Sequence, residues 1–159
     1  MSISFSPDPP LRLVVKFQEL YPNTPPPMVF QAPGRELWIA ARANDREAYV
    51  LRSLDYNGAA PTTFSLQSAK SRRTVLQRPL PRWARYPAGV IVQMSTSGLD
   101  LPGLDAVICG NEARGPRYEY GLGMLFAALC YEMNDQRYLA DALTEVVDRV
   151  QREYMEGVV

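Results

Sequence analysis

The sequence predicts an α+β domain with a mostly antiparallel sheet and helices on one face of that sheet. Three observations support this fold class. The chain has 159 residues, of which 47% are hydrophobic and 21% charged, as in soluble globular domains. Apolar residues recur at helical spacing near both ends, and short strand-like segments lie between them. No internal repeat or linker interrupts the pattern, so residues 1–159 are predicted to form one domain.

The first half of the chain is predicted to hold one helix followed by strands. Helical spacing of apolar residues predicts a helix at 11–21, and Pro22 ends it because proline disfavours helix at the preceding residue. A short strand at 28–30 and a turn at 32–35 follow. Strand-like segments at 37–42 and 48–55 flank a polar run at 43–47 that suits a hairpin loop. Further strands are predicted at 63–66 and, at an edge, at 74–77.

The second half is predicted to be mainly helical. Pro87 suits the first position of a helix, which Ser97 and Gly98 would end. The compact apolar run at 104–109 is predicted to be a central strand, followed by a loop at 110–116. Two helices complete the chain, and the last is predicted to start near Asn134 and Asp135, which are good N-cap residues.

Composition excludes several classes of function. Seventeen basic and seventeen acidic residues give zero net charge, so neither nucleic acid nor a membrane is an expected partner. The absence of histidine rules out Ser-His and Cys-His catalysis, and no metal site is predicted. Cys109 and Cys130 are predicted to be buried free thiols in preference to a disulfide. Without a signal peptide, the expected location is the cytoplasm.

Two segments carry a resemblance to a known family. The first is A-P-G-R at 32–35, preceded by a helix that contains V-K-F-Q-E-L-Y-P at 15–22. The second runs from W-A-R-Y at 83–86 through G-V-I at 89–91 to L-P-G-L-D-A-V-I-C-G-N at 101–111. In this order they resemble the galactokinases and, more widely, the GHMP small-molecule kinases. The resemblance implies the N-terminal domain of that family, which is similar to domain 2 of ribosomal protein S5.

The sugar-binding motif of the family is interrupted after Arg35. Galactokinases continue with V-N-L-I-G-E-H-T-D-Y-N-G, whose polar residues hold the sugar hydroxyls. Without a gap, residues 41–44 would replace E-H-T-D. With a deletion, which we favour, residues 37–56 match the hairpin that follows in the family. D-Y-N-G at 55–58 is then interpreted as a turn after a strand. The resemblance leaves Arg35 as the catalytic candidate, and a salt bridge or turn contact is the favoured structural alternative.

The phosphate loop is also altered. GHMP kinases use P-x-G-x-G-L-S-S-S-A, in which backbone N–H groups and a helix N-terminus hold the phosphates. The stretch at 113–122 is A-R-G-P-R-Y-E-Y-G-L. Pro116 has no N–H, Tyr118 and Tyr120 are expected to fill the nucleotide space, and Glu119 is expected to repel phosphate. The predicted remnant of the phosphate loop consists of Gly110, Asn111, Arg114, Gly115 and Arg117.

The resemblance therefore implies more about fold than about chemistry. The family's G-I-M-D-Q motif, with its catalytic Asp, and its second domain would follow residue 159, so the C-terminal domain is expected to be absent. We interpret the chain as a degenerate galactokinase-like domain without phosphotransferase activity or cofactor, which binds a protein partner or forms a homodimer. The alternatives are a truncated, divergent sugar kinase that uses ATP and Mg²⁺, and a small-molecule sensor. A sugar or nucleotide ligand is neither predicted nor excluded.

One basic run stands apart from these motifs. Between residues 70 and 85 no acidic residue occurs. A solvated edge, balanced by the acidic last helix, is favoured over a surface for an acidic partner or nucleic acid. Trp38, Trp83 and Tyr86 are predicted to be core residues. The run contains Lys70, Arg72, Arg73, Arg78, Arg82 and Arg85.

Overall fold

The computed structural model of the chain describes residues 9–23, 27–56 and 60–156. The predicted turn at Asn57 and Gly58 lies outside these residues. The described part contains a five-stranded sheet with the order β1-β2-β5-β3-β4. All neighbouring strands are antiparallel except β3 and β5, which are parallel. The α+β prediction is confirmed, with a mixed sheet. The strands are β1 (Met28–Gln31), β2 (Leu37–Ala43), β3 (Tyr49–Ser53), β4 (Thr62–Phe64) and β5 (Leu104–Gly110).

The central strand is β5, as predicted for residues 104–109. Every residue of β5 is buried, which suits a strand covered on both faces. It pairs along its whole length with β2, with Leu37 opposite Gly110, and in parallel with β3. The predicted hairpin between β2 and β3 is therefore wrong. The two strands flank β5 because the backbone N–H and C=O groups of a buried central strand need hydrogen-bonding partners along both edges, and a local turn signal does not outweigh that need.

Helices cover both faces of the sheet. The residues of β2 alternate, so that Leu37, Ile39 and Ala41 join the core formed with α3, α4 and α5. Trp38 and Ala40 join a second cluster on the opposite face, where α1 packs. The prediction that all helices lie on one face is thus wrong for α1. The helices are α1 (Leu11–Leu20), α2 (Leu66–Lys70), α3 (Arg82–Thr96), α4 (Pro116–Met133) and α5 (Ala140–Val150), which continues into a π-helical turn at Gln151–Met155.

Two helix starts differ from the prediction. Helix α3 begins at Arg82, so Pro87 lies inside it, because the buried Trp83 and Ala84 extend the helix toward its N-terminus. Helix α5 begins at Ala140. Asn134 instead follows α4, where its side-chain amide donates to the Cys130 carbonyl at 2.8 Å. Asparagine suits a helix C-terminus as well as an N-cap, and the sequence does not distinguish the two uses.

Two shorter elements also differ. Residues 74–77 form no strand, and an isolated bridge joins Arg73 to Pro79. The strand predicted at 63–66 ends at Phe64, because Ser65 caps α2 in a reciprocal pair of hydrogen bonds with Ser68.

Within the described residues, every helix is too short or too polar to cross a lipid bilayer.

The predicted core residues and thiols are confirmed. Trp38, Trp83 and Tyr86 are buried. Cys109 and Cys130 are both buried and free of any disulfide. Burial raises the pKa of the Cys109 thiol to about 11 and that of Cys130 to about 12. Both thiols are therefore protonated near neutral pH and behave as small apolar groups.

Candidate functional site

Two loops meet at the C-terminal end of β5. One joins β1 to β2 and the other joins β5 to α4. The pairing of β2 with β5 brings them together, and the Asn111 N–H donates to the Glu36 carbonyl at 2.9 Å. Between the loops lies a cleft of about 570 Å³, which we call the loop cleft. It is lined by Gly34, Arg35, Glu36, Glu112, Ala113, Arg114, Gly115, Pro116 and Arg117.

An ion pair between Arg35 and Glu112 joins the two sides of the loop cleft. Arg35 donates from Nε at 3.0 Å and from Nη2 at 2.7 Å to the two oxygens of Glu112. Its Nη2 also donates to the Arg117 carbonyl at 2.9 Å. The Glu36 N–H donates to Glu112 Oε2 at 3.2 Å. The bond from Arg35 lowers the pKa of Glu112, opposed by partial burial and aided by the Arg35 charge. Glu112 is therefore a carboxylate near neutral pH.

This geometry confirms the salt bridge that was the structural alternative for Arg35. A bidentate arginine–carboxylate pair fixes both side chains and cancels their charges. Only 17% of the Arg35 side chain and 20% of the Glu112 side chain are exposed. An incoming anion would have to displace Glu112 before it could use the guanidinium of Arg35. The catalytic role of Arg35 stays a prediction.

Gly110 and Asn111 do not line the loop cleft. A Cβ at Gly110 would lie 2.3 Å from Leu37 Cδ2 and 2.9 Å from the Glu36 carbonyl oxygen, so only glycine fits this close approach of two strands. The backbone of Asn111 is bonded to Glu36. We therefore assign these two residues of the predicted phosphate-loop remnant to the joining of β5 and β2.

Asp55, whose sequence context indicates only a turn, lies just after β3 and organises this end of the sheet. Asp55 Oδ2 accepts from the Gly110 N–H at 2.9 Å and from the Tyr118 hydroxyl. Asp55 Oδ1 accepts from Arg12 at 3.2 Å. Arg114 Nη1 donates to the Asp55 backbone carbonyl at 2.7 Å. Asp55 thus connects β3 with β5, α1 and α4. Each partner is 43 or more positions away in the sequence, so local pattern carries no signal for this role.

The first turn of α4 contributes fewer donors than a phosphate-binding helix normally offers. Gly115 has φ 148°, a conformation that favours glycine, and Pro116 at the first helical position has no N–H. Arg117 is the exposed cationic side chain of this turn. The loop cleft can therefore attract an anion through Arg117 and the helix N-terminus, and Glu36 and Glu112 oppose that attraction.

The three side chains predicted to obstruct a nucleotide lie elsewhere. Tyr118 is fully buried, and Glu119 is buried with its carboxylate 2.9 Å from Arg82 Nε. The Tyr120 hydroxyl donates to Asp148 at 2.7 Å. None of the three lines the loop cleft. The expectation that they fill or repel at that position is corrected, because Tyr118 points toward Asp55 after β3, Glu119 toward α3 and Tyr120 toward α5. The Arg35–Glu112 pair occupies the opening instead.

Similarity to known proteins is seen in structure and not in sequence. No protein-family model matches the chain, and no curated protein matches it significantly. A galactokinase from Lactococcus lactis, solved in complex with galactose, is similar with a TM-score of 0.67 and 15% identity over 92% of this chain. Two mevalonate kinase structures, one from Methanococcus jannaschii, each give a TM-score of 0.57 over 76% of this chain, with 12% and 10% identity.

The chain spans less than half the length of each of these kinases. It covers 42% of the galactokinase chain and 38% and 37% of the two mevalonate kinase chains. At this level of identity the similarity concerns the fold and not the chemistry. The chain therefore has the α+β fold of the N-terminal domain of the GHMP kinases.

Proposed function

We propose that this chain is a kinase-fold domain without phosphotransferase activity, which acts by binding another protein. In this proposal it takes no ATP or Mg²⁺ as cofactor and is located in the cytoplasm. The partner can be a second copy of the chain or a different protein. The fold supplies a rigid scaffold, and the surface of that scaffold carries the function.

The observation that carries the proposal is the Arg35–Glu112 pair. Phosphoryl transfer depends on positioned cations and N–H donors that face the transferred phosphate. In the loop cleft, the best-placed guanidinium is bonded to a carboxylate at 2.7 Å and to a backbone carbonyl at 2.9 Å. Removing it from these partners would leave Glu112 as an unpaired, partly buried charge, which is unfavourable.

A second observation supports the same conclusion. Arg114, a second arginine of the lining, donates to the Asp55 carbonyl, and its guanidinium lies 5.5 Å from the centre of the Tyr56 ring. Gly110 is needed for strand packing. Of the predicted phosphate-loop remnant, Gly115 and Arg117 are left to face the loop cleft, and among the described residues the Arg117 guanidinium forms no hydrogen bond. Two residues provide few of the N–H donors and cations that phosphate recognition requires.

Release of ADP tests the proposal directly. The native chain is incubated with Mg–ATP and galactose, beside a galactokinase as positive control. We expect no ADP above the protein-free background. The matched variant Arg35→Ala should give the same background, because no transferred phosphate uses this arginine. ADP formation by the native chain that is lost in Arg35→Ala would overturn the proposal.

The second candidate is a divergent sugar kinase, of which this chain would be the N-terminal part. Two observations favour it: the loop cleft opens at the N-terminus of α4, and a galactokinase solved with galactose is similar in structure over 92% of this chain. In that case Arg35 must exchange Glu112 for phosphate during turnover. Losing a cation at a transferring phosphate typically costs orders of magnitude in rate. ADP formation that is lost in Arg35→Ala would therefore favour this candidate.

A further inference from the structure

The basic run at 70–85 keeps most of its charge unpaired in the fold. Arg82 forms an ion pair with Glu119 at 2.9 Å. No ion pair between described residues joins the run to the last helix, in which Arg149 pairs with Glu145 at 3.6 Å and Glu153 at 3.9 Å. Among the described residues, no ion pair involves the other members of the run, which are Lys70, Arg72, Arg73, Arg78 and Arg85.

Three of these arginines surround one cleft of about 260 Å³, which we call the arginine cleft. It lies on the helical side of the molecule, between the loop after α2, the first turn of α3 and the π-helical turn. No acidic residue is part of its lining. A volume of this size accepts a carboxylate or phosphate group and not a whole nucleotide. The lining residues are Ser71, Arg72, Arg73, Pro79, Arg85 and Met155.

Backbone carbonyls hold the three guanidinium groups in place. Arg72 Nη1 donates to the carbonyl oxygen of Tyr154 at 3.0 Å. Arg73 Nη1 donates to the carbonyl oxygen of Gln77 at 2.8 Å, and Arg85 Nε donates to that of Leu80 at 3.1 Å. The Arg72 guanidinium also lies 5.7 Å from the centre of the Tyr154 ring. Each bond uses one N–H, and a guanidinium has several more to offer. The arginines are thus positioned before any ligand arrives, which lowers the entropy cost of binding.

The charges of the arginine cleft act on a common neighbour. Burial raises the pKa of Tyr154 to about 12, and both Arg72 and Arg85 oppose this rise. The two cations therefore lie within electrostatic reach of the same ring. Like charges around one small cleft repel each other, and a bound anion removes that repulsion.

Beside the arginine cleft, the same loop presents two exposed apolar side chains. Val75 is 43% exposed and Leu76 is 77% exposed. The loop closes on itself, since the Thr74 N–H donates to the Arg78 carbonyl at 2.7 Å and the Gln77 N–H to the Thr74 carbonyl at 2.9 Å. Leu76 is three residues from Arg73, a separation of at most about 11 Å. An anionic group and an apolar group of one short peptide can therefore reach both features.

We propose that the arginine cleft and the tip at Val75 and Leu76 form the contact surface for an acidic segment of a partner protein. A carboxylate or phosphate of that segment enters the arginine cleft, and an adjacent apolar side chain packs against Leu76. Charge complementarity selects this occupant, because the surface is basic while the chain as a whole carries no net charge. The inference rests on the proposed function and names the class of partner.

Selection from random peptides tests this surface even while the partner is unidentified. The immobilised full chain is screened against random twelve-residue peptides displayed on phage. We expect the enriched peptides to carry Asp or Glu next to a large apolar residue. The most enriched peptide is then labelled with fluorescein, and its affinity for the native chain and for variants is measured by fluorescence anisotropy.

The variants address the cleft, the tip and a distant charge. Arg73→Glu should weaken binding by about tenfold or more, because one charge-assisted contact is replaced by repulsion. Leu76→Ser should weaken it by about fivefold through lost apolar contact. The control, Arg137→Ala, removes an exposed arginine from the loop between α4 and α5, and should change the affinity less than about twofold. In that loop Asn134 is bonded to Asp100, which follows the C-terminal end of α3 and not its first turn. All three sites are on the surface, so the fold is retained.

Each remaining outcome counts against the proposal. Enriched peptides without acidic residues, or an affinity unchanged by Arg73→Glu, would overturn it. A screen that enriches no peptide would also overturn it. If the chain then sediments with phosphatidylserine vesicles, a lipid surface is the occupant instead. Because none of these readouts involves ATP or ADP, failure here is distinguishable from failure of the proposed function.

Discussion

Tyr118 donates its phenolic hydrogen to the carboxylate of Asp55, and this bond ties the first turn of α4 to the end of β3. Burial and the Asp55 carboxylate both raise the pKa of Tyr118, so the hydroxyl stays a donor across the physiological range. Asp55 also accepts from the Gly110 N–H. The residues closest to the predicted phosphate loop are therefore joined by hydrogen bonds that serve the fold.

Replacement of Asp55 tests this connection. Asp55→Ala leaves the buried Tyr118 hydroxyl and the Gly110 N–H without their acceptor. We expect the free energy of unfolding in urea to fall by about 2–4 kcal/mol. Asp55→Asn keeps one acceptor oxygen and should cost less. Tyr118→Phe removes a single hydroxyl and should cost about 1 kcal/mol. A loss below about 0.5 kcal/mol in Asp55→Ala would show that these bonds contribute little.

Gly110→Ala tests whether Gly110 serves strand packing. The added Cβ would collide with the Leu37 side chain at 2.3 Å and the Glu36 carbonyl oxygen at 2.9 Å. Because the second atom is backbone, the strands must separate locally, and we expect a loss of about 2 kcal/mol or more in urea unfolding. Gly123→Ala is the control, since its nearest contact is a Val147 methyl at 3.1 Å, which can move. Equal stability of Gly110→Ala and the native chain would contradict the assignment.

Stability should fall steeply in alkaline solution. Tyr49 and Tyr154 are buried, and burial raises the pKa of each from 10.0 to about 12. A raised pKa contributes stability that is complete below pH 10 and is lost as the pH rises toward 12. Each tyrosine then contributes a slope of about −1.4 kcal/mol per pH unit, and the buried thiols add to it.

Urea unfolding between about pH 9 and about pH 11 measures this slope. The variant Tyr49→Phe removes one titrating group and should show a shallower decline than the native chain. Absorbance at the tyrosinate band, followed with pH, should show these two tyrosines ionising only as the fold is lost. A stability that is flat across this range would contradict the burial of both hydroxyls.

The Arg35–Glu112 pair should lose its contribution to stability in acid, whereas the buried tyrosines lose theirs in alkaline solution. The pKa of Glu112 is lowered, chiefly by the bond from Arg35, so its contribution to stability is present above its ordinary value of 4.5 and is lost as the pH falls below that value. Glu112→Gln should cost about 1 kcal/mol at neutral pH, because the pair is partly exposed. Its unfolding free energy should also change less between neutral and acidic solution than that of the native chain. An identical acid dependence in both proteins would contradict the pair.

Much of the fold could be predicted from local pattern. Helix α1 and strands β1, β2 and β5 lie within one or two residues of their predicted ranges, because each has a clear apolar period and a proline or glycine near its end. The breaks at Pro22 and Gly98 follow the same logic. These features depend on residues that are neighbours in the sequence.

The features that could not be predicted depend on contacts between distant residues. The parallel pairing of β3 with β5 joins Val50 to Asp105, so no turn signal marks it. The same holds for the site: Glu112 is 77 positions from Arg35, and neither residue alone suggests a pair. Asp135 adopts φ 53°, which makes the predicted N-cap part of a turn after α4. In each case tertiary packing overrides a valid local signal.

Titration of the native chain with Mg–ATP in a calorimeter tests the central claim most directly, that the Arg35–Glu112 pair closes the loop cleft to phosphate. Glu112→Ala serves as the matched variant, since it frees Arg35 while the bond from the Asn111 N–H to the Glu36 carbonyl still joins the loops. The account predicts no binding heat for the native chain at millimolar ATP, and weak binding only in Glu112→Ala. Micromolar binding of Mg–ATP by the native chain would contradict it.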